Sequence, residues 1–210
     1  EMKHKDKIIQ ILKSGKNIGY VTDRGTPLIS DPGNVIVDES IKENITVIAL
    51  PGPNALLPAL NMSGLSNERF LFYGFLNSKP SLAKKELIDL KDIKQTIIFY
   101  ESPHRITATL SQILEVFGNR NVALVREISK LHEEVIRDNI ENILKISDTF
   151  KGELVIIVEG NTQEETLEIN YTEEINKLLT QGYSKRDAIR EIADKYNISK
   201  NKLYNEFKEN

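Results

Sequence analysis

The 210-residue sequence has no cysteine and no tryptophan. Without thiols there is no disulfide, no thiolate zinc site and no cysteine nucleophile. No apolar run is long enough to span a bilayer, and the opening residues, Glu1 to Lys7, lack the basic-then-apolar order of a signal peptide. The sequence contains no GxGxxG, no GxxxxGK(S/T), no GxSxG and no HExxH. Phosphate hydrolysis by a P-loop, serine hydrolysis and zinc proteolysis therefore have no support, and no metal is expected. Nor is there an excess of positive charge: 28 Lys and Arg against 31 Asp and Glu give a net −3. Counted by segment, residues 1–69 carry 8 basic and 8 acidic groups, 70–162 carry 12 and 13, and 171–210 carry 8 and 7. Charge alone gives no argument for nucleic acid.

What is present is an alternation of short β-rich and amphipathic helical runs. Helices are predicted over 5–14, 35–43 and 55–62, and strands over 17–22 and over 45–50, whose nearly all-apolar ITVIAL reads as a strand buried on both faces. A second set follows, with strands at 70–75, 96–100, 122–125, 133–137 and 154–158, and helices at 81–90, capped by Ser81, and at 105–117, closed by Gly118. Strand–helix alternation argues for parallel βα units. Two of the later strands follow each other too closely for a crossover helix, so a mixed sheet is expected there. Polar 161–170 reads as a linker. Beyond it come helices over 173–181, 185–196 and 200–207, the last two capped by Ser184 and Ser199, resembling a helix-turn-helix unit. The fold class is thus α/β with a C-terminal helical module. The expected division is 1–69, 70–162, a linker at 163–170, and 171–210.

Four stretches could carry chemistry. Asp23-Arg24-Gly25-Thr26-Pro27, continuing to Ser30-Asp31-Pro32-Gly33, follows the carboxyl end of a predicted strand, where open α/β sheets bind ligands. The same residues also suit a structural turn. Pro51-Gly52-Pro53-Asn54 stands in the equivalent place after the next strand, and Asn54 could simply cap the helix that follows. Tyr100-Glu101-Ser102-Pro103-His104-Arg105 gathers a carboxylate, a hydroxyl, an imidazole and a guanidinium. Its bland reading is a helix start with Arg105 paired to Glu101. Arg126-Glu127-Ile128-Ser129-Lys130 is either a solvated charge run or a clamp for phosphates.

The run Val21 to Gly33 resembles the signature of the ribosomal small-subunit methyltransferase I family, within the tetrapyrrole-methylase-like (class III) methyltransferases. The resemblance continues in order through Leu50–Pro53, Ser63–Leu65, Phe70–Leu76, Ile98–Arg105, Arg126–Lys130, Lys151–Glu153 and Val158–Gly160, and so covers almost the whole chain. It implies two α/β domains with S-adenosylmethionine held in the cleft between them. It also implies a homodimer, a cytoplasmic location, and 2'-O-methylation of a cytidine ribose in 16S rRNA, with the small ribosomal subunit as partner. The donor would be held by Asp23, Gly25, Thr26, Pro27, Pro51, Gly52, Asn54, Ala55, Tyr100, Gly152 and Glu153. Arg105, Arg126 and Lys130 would meet phosphate. The proton acceptor stays open among Glu101, Glu127 and Asp23.

Three departures stand out. Arg24 and Asn54 occupy positions where the family commonly has small residues. The family's first strands and helices, with a glycine-bearing loop that faces the donor, have no counterpart here. The N-terminal α/β domain is therefore expected to be truncated and one wall of the cleft missing. Two other readings follow: a catalytically incomplete RNA- or partner-binding fragment, and a methylase of a small tetrapyrrole.

Overall fold

A computed structural model describes residues 4–162, 171–196 and 198–206. They fall into two compact units, the first ending at Thr162 and the second beginning at Gln163. The predicted linker 163–170 lies outside the described residues.

The first unit is built on one five-stranded sheet of order β1-β2-β5-β3-β4. The strands are β1 (Phe70–Phe75), β2 (Thr96–Glu101), β3 (Asn121–Arg126), β4 (Glu134–Asn139) and β5 (Leu154–Val158). β1 and β2 run parallel, while β5 is antiparallel to both β2 and β3, and β3 to β4. The sheet is mixed, as the close spacing of the later strands requires. β5 is buried at every residue because it has strands on both sides and apolar cover on both faces. The edge strand β4 carries the polar residues Glu134, Arg137 and Asp138.

Period-two alternation divides the core. Ile97, Phe99, Leu124, Leu154 and Ile156 point to the face covered by α4 (Pro80–Leu90), α5 (Ile106–Phe117) and α6 (Ile140–Lys145). Ile98, Ala123, Val125, Val155 and Ile157 point to the other face, covered by Ala59 and Leu60 of α3 (Leu56–Ser63). On α5, Ile106, Leu110, Ile113 and Phe117 form one buried stripe at helical spacing. Full burial of an isoleucine such as Ile156 or Ile157 contributes about 1.5–3 kcal/mol.

Three expectations are corrected. The first residue of α4 is Pro80, preceded by Lys79, so Ser81 is not its cap, and proline at the first turn supplies the fixed φ instead. The short helix α6 follows β4 without having been anticipated, capped by the Asn139 side chain on the Asn142 amide at 3.0 Å. No strand forms over 17–22 or 45–50. These segments have the right composition, but a strand needs a hydrogen-bonded neighbour, and none of the five strands lies beside them. Consequently Val21, Ile48 and Leu50 are 85%, 76% and 81% exposed. Around them, α1 (Lys5–Lys13) and α2 (Asn34–Lys42) pack together, joined by Lys5–Glu39 at 3.4 Å and Lys13–Glu43 at 2.6 Å.

The second unit contains α7 (Tyr171–Thr180), α8 (Lys185–Tyr196) and α9 (Lys200–Glu206) around Ile175, Ala188, Ile189, Ile192, Ala193 and Leu203. The Ser184 hydroxyl accepts from the Asp187 amide at 3.2 Å, capping α8.

No helix among the described residues is long and apolar enough to cross a membrane.

Candidate functional site

β1 and β2 end side by side, and β5 begins next to them because it runs the other way: Tyr100 pairs with Val155 and Glu101 with Leu154. Over this edge lie the loop 23–33, the turn 53–55 and the loop 127–130. Together they enclose a cavity of about 440 Å³, within the size range of small-ligand sites.

Each loop is fixed by local chemistry. The Thr22 hydroxyl donates to the carbonyls of Arg24 and Gly25 at 3.2 Å each, tightening the turn. The Thr26 hydroxyl donates to the Pro53 carbonyl at 2.9 Å, tying the first loop to the second. Asn54 Oδ1 accepts from the Leu57 amide at 3.0 Å and so caps the start of α3. Leu28 and Ser30 sit at positive φ, 71° and 61°, as do Glu127 and Ser129 at 50° and 60°. Strain of about 1–3 kcal/mol per such residue is thus stored in the two loops that face each other across the cavity. The first loop comes so close to β1 that a Cβ at Gly74, itself at φ +84°, would stand 3.1 Å from Ser30 Oγ.

Of the expected donor-binding residues, Gly25, Thr26, Asn54, Ala55, Tyr100 and Glu153 line the cavity. Asp23 lines a second, open recess together with Tyr20, Val21 and Thr22. Pro27, Pro51, Gly52 and Gly152 line neither. Gly152 nevertheless shapes the site: at φ +84° it leaves room for Glu127, whose Oε1 would lie 2.3 Å from a Cβ there. Sequence reasoning missed the apolar wall of Ile29, Phe75, Ile128 and Val155. A signal existed in Phe75, an aromatic at the carboxyl end of a predicted strand.

The charged candidates are already engaged. Glu101 is buried at 3% exposure. Its carboxylate accepts from the Ser102 amide at 2.8 Å and the Thr109 hydroxyl at 2.6 Å, and Arg105 Nε lies 3.4 Å away. Arg105 donates to the carbonyls of Leu76 and Asn77 at 2.9 and 3.1 Å. Arg126 pairs with Glu134 across β3 and β4 at 2.5 Å. Lys130 bridges Glu153 at 2.9 Å and Glu127 at 3.0 Å, and Arg24 pairs with the other oxygen of Glu153. The Glu153 amide above all, then Lys130, hold the Glu127 carboxyl below its ordinary pKa. Hydrogen bonds to Glu153 and Glu127 hold the Lys130 ammonium above its own. The Tyr100 hydroxyl is pushed up by burial first and by the charge of Asp31 as well, against backbone hydrogen bonds from Leu56 and Ala55.

The contents suit a cationic, partly aromatic ligand. Phe75 and Tyr100, 5.6 Å apart, offer an aromatic wall, and the Asp31 carboxylate on the cavity surface has no hydrogen bond or ion pair among the described residues.

Loops over the strand ends of this mixed sheet form a ligand-sized cavity, and the class of the protein follows from its match to a methylase family. Residues 3–144 match the family model for Tetrapyrrole (Corrin/Porphyrin) Methylases. Among solved structures, the methyltransferase CobJ superposes with a TM-score of 0.60 at 14% identity, over 79% of this chain and 74% of that one. Uroporphyrin-III C-methyl transferase from Thermus thermophilus, complexed with S-adenyl homocysteine, gives 0.53 at 14%, over 76% and 73%. At such identities the likeness is one of fold. The ribosomal RNA small subunit methyltransferase I of Bacillus subtilis (strain 168) is 41% identical over 210 residues, 96% of this chain and 72% of that protein. The chain belongs to that family, the ribosomal RNA small subunit methyltransferases I.

Proposed function

We propose that the chain binds S-adenosylmethionine in the 440 Å³ cavity and transfers its methyl group to the 2'-oxygen of a cytidine ribose in 16S rRNA. One observation carries this reading: Gly25-Thr26, Asn54-Ala55, Tyr100 and Glu153, from four separate stretches of sequence, meet on one ligand-sized cavity. The donor supplies a methyl group already activated by a sulfonium. The protein's task is then to hold donor and ribose in line, and positioning of that kind is worth about 7–11 kcal/mol at best. The aromatic pair Phe75 and Tyr100 suits the adenine, and the polar turn at 25–26 with the start of α3 suits the ribose and amino-acid ends. Tyr100, held above its ordinary pKa, stays a neutral hydroxyl at physiological pH. Arg126 and Lys130 remain the candidates for phosphate contact, each exchanging a carboxylate partner for the RNA. On this reading the chain works on the small subunit in the cytoplasm, as a homodimer.

The test is calorimetric titration with S-adenosylhomocysteine, followed by transfer of labelled methyl to small ribosomal subunits and mapping of the modified nucleotide. One-site binding and an alkali-resistant ribose linkage support the reading. Label on a base, or label only on an added tetrapyrrole, overturns the assigned acceptor. RNA binding without donor binding marks the chain as an incomplete enzyme.

A further inference from the structure

Resting on the reading that a hydroxyl is methylated in this cavity, we infer that Asp31 is the carboxylate at the reacting centre. It faces the donor's sulfonium and takes the proton from the acceptor hydroxyl. Among the described residues, three carboxylates line the cavity: Asp31, Glu101 and Glu153. Glu101 has its oxygens committed to the Ser102 amide and the Thr109 hydroxyl and lies against Arg105. Glu153 is bracketed by Arg24 and Lys130. Asp31 has no hydrogen bond or ion pair among the described residues, and its charge is felt by the Tyr100 hydroxyl. It is therefore the one cavity carboxylate whose negative charge is not already matched by a protein cation.

Position makes the second argument. The cavity adjoins an open recess lined by Tyr20 to Arg24, Asp31 and Pro32. Among the described residues, only Arg24 and Asp31 line both spaces. A donor in the cavity and an acceptor entering from the recess would meet at these two residues. Arg24 is a cation tied to Glu153 and cannot accept a proton. Asp31 can. Its loop is held on either side of Asp31, by the Thr26 hydroxyl on the Pro53 carbonyl and the Tyr20 hydroxyl on the Pro32 carbonyl, each at 2.9 Å, and these contacts give the carboxylate its station. In the step, the acceptor oxygen forms a bond to the methyl carbon as the carbon–sulfur bond breaks. The bonding pair returns to sulfur, leaving a neutral thioether, and the hydroxyl proton passes to Asp31. One positive and one negative charge disappear together, which a partly enclosed site favours.

The experiment uses the full chain and the isosteric variant Asp31→Asn, with Asp31→Glu as control. Because the Asp31 side chain holds no bond among the described residues, both variants are expected to melt with the parent. Turnover on small ribosomal subunits should fall about 100-fold or more in Asp31→Asn, with partial recovery in Asp31→Glu. S-adenosylhomocysteine, whose sulfur is uncharged, should bind as before, while S-adenosylmethionine loses affinity, so the preference between the two drops severalfold. Turnover within about threefold of the parent overturns the inference, as does equal loss of both ligands, which would mean that Asp31 shapes the pocket. If the parent binds both ligands but methylates no RNA, the acceptor assignment fails, and the ligand preference still decides Asp31: an unchanged preference overturns it. A parent that binds neither ligand overturns both.

Discussion

Arg105 shows how far a residue's neighbours in sequence can mislead. Beside Glu101 and His104 it reads as a cation for phosphate, yet its guanidinium ties the end of β1 to the start of α5 through Leu76 and Asn77, 29 and 28 residues away. Nothing local announces such partners. Arg105→Ala is expected to cost about 2–3 kcal/mol, because it removes these bonds and leaves buried Glu101 without its cation. Denaturant unfolding measures the loss, and an unchanged stability would return Arg105 to the RNA candidates. Glu127 gives a pH-dependent expectation. Its pKa is lowered in the fold, so the Glu127–Glu153–Lys130 contact is complete above the ordinary carboxylate range and is lost as pH falls through the lowered value. The raised Lys130 keeps its own contribution until pH climbs past the ordinary lysine range. The Glu153 amide resonance, whose N–H donates to Glu127 at 2.8 Å, should therefore titrate with a midpoint below that of an ordinary glutamate. A midpoint at or above the ordinary value would show that the contact does not form in solution.

At the scale of elements, what could be read from sequence was whatever a local pattern dictates. β1 and β5 begin and end where alternation and apolar runs put them, and α8 runs from Lys185 to Tyr196 behind its Ser184 cap. The same logic failed at 17–22 and 45–50, because β propensity is a preference for a paired, half-buried surface and no strand lies beside them. The cavity was legible in part for the same reason. Loops that follow strand ends can be found by pattern, whereas Ile128 and Val155 reach the site only through the antiparallel order of β3 and β5. The exposed segments carry their own prediction. Val21, Ile48 and Leu50 contribute little packing, so changing each to Thr should alter stability by no more than about 0.5 kcal/mol. Light scattering of the triple variant should show less self-association, since exposed apolar patches drive it. A loss of several kcal/mol in denaturant unfolding would mean that these side chains are covered in solution.

At the scale of the molecule, every described residue lining the cavity lies between Arg24 and Val155, inside the first compact unit. A chain ending at residue 162 should therefore bind S-adenosylhomocysteine within about twofold of the full chain, less than the tenfold change that 1.4 kcal/mol would bring. A larger loss would give the helices α7 to α9 a part in the cavity. Charge sets the complementary expectation for RNA. The net charge is −3, and Arg24, Arg126 and Lys130 each face a carboxylate. Two or three phosphates neutralised give a slope of about −2 to −3 for log affinity against log salt, shallow for a nucleic-acid enzyme. Glu153 is the counter-ion of two of these cations at once, so Glu153→Gln should strengthen RNA binding and steepen the slope by about one. If instead the variant binds RNA no better, Lys130 does not meet phosphate, and recognition must rest on groups other than the cations paired with Glu153.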